Sequence, residues 1–230
     1  MKEQEKALII LSGGLDSTTT MALAQEAGYC LYTITFDYEQ RHGREIEAAK
    51  AVAAYYEAPH HVIKLGHIFA ENALSKARPT EGRGEQKTYS LEQKGDEIPD
   101  TYVPARNILF LALALSYAEK IKARALYMGV NALDHPGYPD CRPPFIEAFQ
   151  QVIDQGTERG VLGEGVRLET PLLYLKKEEI LQIALRLDCP LHLTHTCYAG
   201  ESPACGVCAS CINRRQAFHN LGLQDPIPYQ

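Results

Sequence analysis

Two short stretches carry residue types whose spacing points to chemistry rather than packing. Toward the C-terminus, "CYAGESPACGVCASC" sets Cys197, Cys205, Cys208 and Cys211 in a C-x₇-C-x₂-C-x₂-C pattern. Thiolates at such spacing close a tetrahedral metal site around a tight turn, and four of them leave no open coordination position. The expected metal is therefore one structural Zn²⁺ per chain; an iron–sulfur cluster, or His195 in place of one cysteine, are the alternatives. Near the N-terminus, "ALIILSGGLDSTTTM" runs an apolar strand into Ser12, Gly13, Gly14, Leu15, Asp16 and Ser17. Glycines let the backbone turn sharply and approach a ligand closely. Main-chain N–H groups at the start of the next helix, with its dipole, then make an anion site. Ser12, Ser17, Thr18 and Thr19 supply hydroxyl donors, and Asp16 either holds Mg²⁺ or caps the helix. Neither G-x-x-x-x-G-K-[ST] nor G-x-G-x-x-G is present, so two other phosphate loops are excluded.

These residues need a scaffold, and the pattern supplies one. Apolar, β-rich runs at 7–11, 30–36, 60–65, 125–130 and 166–169 alternate with helical patterns at 16–27, 44–56, 107–121, 144–159 and 177–187. That alternation predicts an α/β fold, a doubly wound parallel sheet. Residues 76–100, charged and rich in Gly and Pro, read as a long loop, either a lid that orders on ligand or an insertion without order. From residue 189 the alternation stops. The expected division is an α/β nucleotide domain over 1–188 and a cysteine-rich module with a helix, packed on it, over 189–230.

The bulk properties narrow the class. A formal net charge of -6 argues against a chain built to wrap nucleic acid. The apolar run "ILFLALAL" is well short of the roughly 18 residues a membrane span needs, and no secretory signal is evident. Seven cysteines, an odd number with four clustered, fit a metal in a reducing compartment better than disulfides. A cytoplasmic protein without membrane or nucleic-acid partners is expected.

Three further stretches sit where strands should end, the edge that faces the ligand crevice in such sheets. "TFDYEQRHGREIEAAK" places Asp37, Gln40, Arg41 and His42 there, positioned for adenine, ribose or a second substrate. In "VPARNILFL", Arg106 suits an oxyanion and Asn107 is a second polar group or a helix cap. In "GVNALDHPGYPDCRPPF", Asp134 and Asp140 suit the donor edge of a guanine-like ring and Arg142 a carboxylate.

"SGGLDS" resembles the PP-loop of the N-type ATP pyrophosphatases, pattern SGGxDS, which split ATP between its α and β phosphates. Together with "TFDYEQRH", "VPARNILFL", "GYPDCR" and "TCYAG…CGVCASC", it makes the chain resemble the 7-cyano-7-deazaguanine synthase family over nearly its whole length. Leu15, Glu39, Ala105 and Pro136 depart from the pattern, standing where glutamine, a small or amide residue, glycine and serine are frequent. The resemblance implies conversion of a 7-carboxy-7-deazaguanine to the nitrile with ammonia and two ATP, in queuosine biosynthesis. It implies nucleotide contacts along Leu11, Ser12, Gly13, Gly14, Leu15, Asp16, Ser17, Thr18, Thr19, Thr20 and Met21, with Ser12, Asp16, Ser17 and Arg106 catalytic. It also implies a homodimer, and ammonia from solution or a partner. The rival readings are a tRNA-directed thiolase or lysidine-type ligase, with Cys141 the candidate reactive thiol, and a non-catalytic nucleotide-binding module.

Overall fold

A computed structural model describes residues 4–38, 43–69, 98, 102–133, 137–200 and 202–230. Most of the expected loop at 76–100 lies outside them, as do Gln40, Arg41, His42 and Asp134.

Alternation along β1 (Lys6–Ile10) divides the core into two layers. Ala7, Ile9 and Leu11 turn to one face and Leu8 and Ile10 to the other, and all are buried. A strand covered on both faces reads as an unbroken apolar run, as a parallel sheet requires. Accordingly β1 pairs in parallel with β2 (Cys30–Asp37) on one side and β4 (Ala125–Met128) on the other. β3 (His60–Lys64) and β5 (Arg167–Glu169) complete the order β3-β2-β1-β4-β5. Helices α1 (Leu15–Glu26) and α2 (Gly43–Tyr55) cover one face; α3 (Arg106–Ile121) and α4 (Pro143–Gly156) cover the other. This is the doubly wound sheet the alternation predicts. The chain leaves β1 toward β2 and returns across it to β4, so their carboxyl ends open a crevice at the point where the winding reverses.

Two boundaries differ from expectation. The strand expected over 125–130 ends at Met128, because Gly129 passes hard against α1: a Cβ there would lie 3.1 Å from the Cα and N of Ser17. The helix expected over 144–159 breaks at Thr157, which takes extended dihedrals. Its hydroxyl accepts from the Gly160 N–H at 3.0 Å and starts a separate short helix, α5 (Glu158–Val161).

α1 is packed on two sides, with Gln25 and Glu26 exposed at its end. Met21 and Ala24 pack toward the sheet, while Leu15 and Ala22 meet α6 (Lys177–Arg186) and α7 (Ala209–Asn220). Ile180 and Leu181 of α6 are wholly buried in that contact, contributing about 1.5–3 kcal/mol each. The tail beyond α7 turns back through a buried ion pair. Arg214 donates from Nε and Nη2 to both carboxylate oxygens of Asp225 at 2.7 and 2.9 Å, and from Nη1 to the Thr194 hydroxyl at 2.6 Å. Tyr229 adds a hydrogen bond to Asp225, and the tail closes beside Ala204.

Gly13 marks the tightest point of the scaffold. At φ +80 it lies in the left-handed region, and a Cβ would sit 2.5 Å from the Ala49 nitrogen and the Glu45 carbonyl oxygen of α2. Backbone atoms cannot move aside as a flexible side chain can. Gly13→Ala is expected to lose at least the roughly 1–2 kcal/mol of a left-handed L-residue, read as a lowered denaturation midpoint with unchanged slope.

Candidate functional site

The turn between β1 and α1 is tied together by its own hydroxyls. Ser12 and Ser17 hydroxyl oxygens are 3.0 Å apart, Ser17 donates to the Gly14 carbonyl at 3.2 Å, and it accepts from the Ser12 N–H at 3.2 Å. The loop is thus held in shape at the switch point, with Gly14 as the N-cap of α1 and no side-chain cap. Asp16 does not serve as that cap. Its two carboxylate oxygens accept from Lys177 Nζ at 2.9 and 2.8 Å, across from the first turn of α6. Thr18, Thr19 and Thr20 are wholly buried. Thr19 donates to the Leu15 carbonyl at 2.8 Å, while the Thr18 and Thr20 hydroxyls have no hydrogen-bond partner among the described residues. Leu11 and Met21 are core residues of the sheet layer.

Lys177 escaped the sequence reading. Its signal was there: Lys176 and Lys177 open a helix, the end where the macrodipole disfavours cations. A lysine placed against that preference needs a nearby anion, and only the fold brings Asp16 to it.

On the other side of the crevice the start of α3 meets the loop after β4. The Asn107 N–H donates to one Asp140 carboxylate oxygen at 3.2 Å, and the Asn107 amide donates to the Asp140 carbonyl at 3.2 Å. The second Asp140 oxygen is buried without a hydrogen-bond partner among the described residues. Arg106 Nη1 reaches the Tyr38 hydroxyl at 3.4 Å, and its guanidinium sits 6.0 Å from the Tyr38 ring centre. Asp37 is partly exposed at the end of β2, and Arg142 is exposed at the N-cap of α4. Ala105, just before α3, has φ +56, a left-handed conformation that glycine takes more readily than alanine. Burial, with Asp140 beside it, pushes the Cys141 thiol up to about 12, so it is no ready nucleophile.

The four cysteines converge. The sulfurs of Cys197, Cys205, Cys208 and Cys211 all lie within 4.8 Å of one another, and Cys197 and Cys211 are buried. A tetrahedron of ~2.3 Å metal–sulfur bonds spaces its sulfurs by about 3.8 Å, so the set fits one such ion with small adjustment. Main-chain amides already point at the sulfurs: Tyr198 N to Cys208 at 3.4 Å, Cys205 N to Cys197 at 3.3 Å, and Cys208 N to Cys205 at 3.4 Å. Hydrogen bonding from Cys211, then from main-chain N–H groups, holds the Cys208 thiol below its ordinary value against the effect of burial. His195 is not one of the clustered ligands. Instead its N–H donates to the Gly13 carbonyl at 2.8 Å, and a Cβ on Gly14 would lie 3.3 Å from the Thr196 methyl. The residues leading into the cysteine cluster therefore lean directly on the glycine turn.

A doubly wound α/β protein with a glycine loop at its switch point and a four-thiol cluster against that loop is a narrow class. The family model described as "Queuosine biosynthesis protein QueC" matches residues 6–222, and the chain belongs to that family. The 7-cyano-7-deazaguanine synthase of Desulfitobacterium hafniense is 50% identical to it, over 98% of this chain and 93% of that one. The proteins of the same name from Oceanobacillus iheyensis and Acetivibrio thermocellus are 47% and 46% identical, each aligned over at least 97% of both chains. Among solved structures, an NMN synthetase from Francisella tularensis is similar at a TM-score of 0.49 and 17% identity, over 96% of this chain and 79% of that one, a likeness too slight to bear on function. No described helix is long and apolar enough to cross a membrane.

Because the cluster supports the loop, its loss should be felt as a loss of structure. Cys208→Ser is expected to lower the melting temperature well beyond Cys30→Ser, which alters one partly buried group outside the cluster. Thermal melts of the two variants beside the parent protein decide it; equal midpoints would mean the cluster holds nothing together.

Proposed function

We propose that the chain is an ATP-dependent carbon–nitrogen ligase that converts 7-carboxy-7-deazaguanine and ammonia to 7-cyano-7-deazaguanine, through an adenylated acid, an amide and an adenylated amide. The observation that carries this reading is the near-complete alignment, at about half identity, with relatives that bear the synthase name. The geometry is compatible with each step. A carboxylate is a poor acceptor for ammonia, so its oxygen first attacks the α-phosphorus of ATP and pyrophosphate leaves. The main-chain N–H groups of residues 12–17, shaped by the Ser12–Ser17 hydroxyl pair, are the cradle for that leaving group. Leu11 and the residues through Met21 form the nucleotide segment, with buried Thr18, Thr19 and Thr20 setting its shape from within. Mg²⁺ bound from Asp16 would neutralise phosphate charge. Lys177 is the cation that balances Asp16 without it. Arg106 stabilises charge on the reacting oxygens. Asn107 and Asp140, with Asp37, Gln40, Arg41, His42, Asp134 and Arg142, form the base-recognition side. Most of the catalysis is positioning.

The four cysteines hold one structural Zn²⁺ in this reading, and residues 189–230 form the module that braces the nucleotide domain over 1–188. A cytoplasmic homodimer acting on small molecules, without nucleic acid or membrane, belongs to the same reading and rests on the family resemblance and the net charge. The thiolase alternative is disfavoured by the high pKa direction of Cys141.

The test is incubation of the purified protein with ATP, Mg²⁺, ammonium and the carboxy-deazaguanine, followed by mass spectrometry. The nitrile, AMP and pyrophosphate should accumulate; ADP and phosphate instead would reject the assignment. Asp16→Asn should retain the fold and lose about 10²-fold or more in turnover, the size of a lost preorganised electrostatic contact. Elemental analysis should find one zinc per chain and no stoichiometric iron.

A further inference from the structure

The four clustered cysteines are not held alike. Cys208 is the N-cap of α7 and Cys211 lies in its first turn, so a regular helix fixes both. Cys197 follows a stretch pinned by the Arg214 guanidinium, which donates to the Thr194 hydroxyl at 2.6 Å and to the Leu191 carbonyl at 3.1 Å. Cys205 lies in no helix or strand. Its two chain neighbours are gripped instead by residues 225–230, which come back over the cluster from beyond α7.

The grip is main-chain on one side of Cys205 and side-chain on the other. Ala204 donates its N–H to the Pro228 carbonyl at 3.0 Å, and its carbonyl accepts the Gln230 N–H at 2.9 Å. Gly206, at φ +70, lies against Tyr229 and Arg215: a Cβ there would sit 3.5 Å from Tyr229 Cδ1 and 3.3 Å from Arg215 Nη1. Arg215 also donates to the Gly206 carbonyl at 3.2 Å, with its guanidinium 5.2 Å from the Tyr229 ring centre. Asp225 anchors the root of the segment. Besides Arg214, its carboxylate accepts from the Tyr229 hydroxyl at 2.6 Å and the Ile227 N–H at 3.2 Å. Ile227 is buried in one apolar cluster with Cys197, Ala204 and Cys211.

We propose that residues 225–230 are a latch over Cys205, and that metal enters and leaves the four-thiol site when this latch opens. The inference rests on the zinc reading proposed above. An ion held by four thiolates has no open position, so it exchanges only after one sulfur lets go. Cys197 and Cys211 are buried whereas Cys205 and Cys208 are partly exposed, so exchange begins at the exposed pair. Cys208 is tied to the start of α7. Cys205 swings away once Ala204 and Gly206 are released. A segment held by few hydrogen bonds opens locally at far lower cost than the whole fold. The stretch that leans on the glycine turn then stays in place while metal exchanges.

The test uses the full-length protein loaded with Zn²⁺, beside Y229A, Y229F and L223A, the last altering an exposed residue outside the cluster. Transfer of zinc to an excess of colorimetric chelator reports release, and far-UV ellipticity reports the helices. Y229A is expected to release zinc about 10-fold faster or more, having lost the ring contact and the bond to Asp225. Y229F, which keeps the ring, should be faster by about threefold, and L223A should stay within about twofold of the parent. The far-UV signal should persist through release. Equal release by Y229A and the parent overturns the latch. So does collapse of the whole far-UV signal in step with release, because metal then leaves by global unfolding. In the parent, hydrogen exchange over residues 225–230 should be at least as fast as zinc release while α7 remains protected. A segment still protected after zinc has left overturns the latch, whether or not Y229A folds. A parent protein that takes up no Zn²⁺ overturns the metal reading itself, and the latch with it.

Discussion

Much of this structure depends on two backbones meeting at Gly13 with no side chain between them. The glycine turn lies against α2 on one side, where a Cβ would overlap main-chain atoms, and accepts the His195 N–H on the other. The second glycine lies against the Thr196 side-chain methyl. The main-chain contacts at Gly13 are the stiff ones, since neither partner there has a rotamer to change. The shape of the loop is therefore set by three pieces of chain far apart in sequence: the first strand and its turn, the start of α2, and the approach to the cysteine cluster. A ligand that binds main-chain amides benefits, because the amides are already oriented before it arrives.

The cysteine cluster acts at the end of this chain of contacts. Cys197 follows Thr196 directly, so whatever fixes the four sulfurs fixes the residues that lean on the turn. The Arg214–Asp225 pair supports the same stretch from behind through the Thr194 hydroxyl. Both groups are almost fully buried, and breaking one partner of such a pair typically costs 3–5 kcal/mol. The sulfur cluster and the ion pair are thus two braces on one segment. The segment carrying the cysteines belongs mechanically to the glycine turn, although it lies some 180 residues away in sequence.

Electrostatics divides the crevice. On the α1 side, Asp16 is balanced by Lys177. On the α3 side, Arg106 stands with Tyr38 and Asp140, and one Asp140 oxygen is buried without a hydrogen-bond partner among the described residues. Polar groups with unused capacity facing a crevice are where a ligand gains specificity, since its own donors and acceptors complete what folding left open.

Composition and periodicity were enough to reveal the doubly wound sheet, because a parallel strand must be apolar on both faces and a crossover helix on one. They were also enough to mark "SGGLDS" and the four cysteines, whose chemistry is local: a turn without Cβ atoms and thiols within one short stretch. Strand and helix ends were less legible. β4 stops at Met128 for lack of space beside Ser17, and Thr157 breaks a helix by capping another. The burial of the Thr18 and Thr19 side chains was not legible either: Thr19 donates to the Leu15 carbonyl within α1. Lys177 opposite Asp16, Asn107 bound to Asp140, and the His195 main-chain N–H bound to Gly13 were decided by tertiary structure alone. Each joins residues from different elements, and a pairing across the sheet edge depends on how helices pack, which no local spacing encodes.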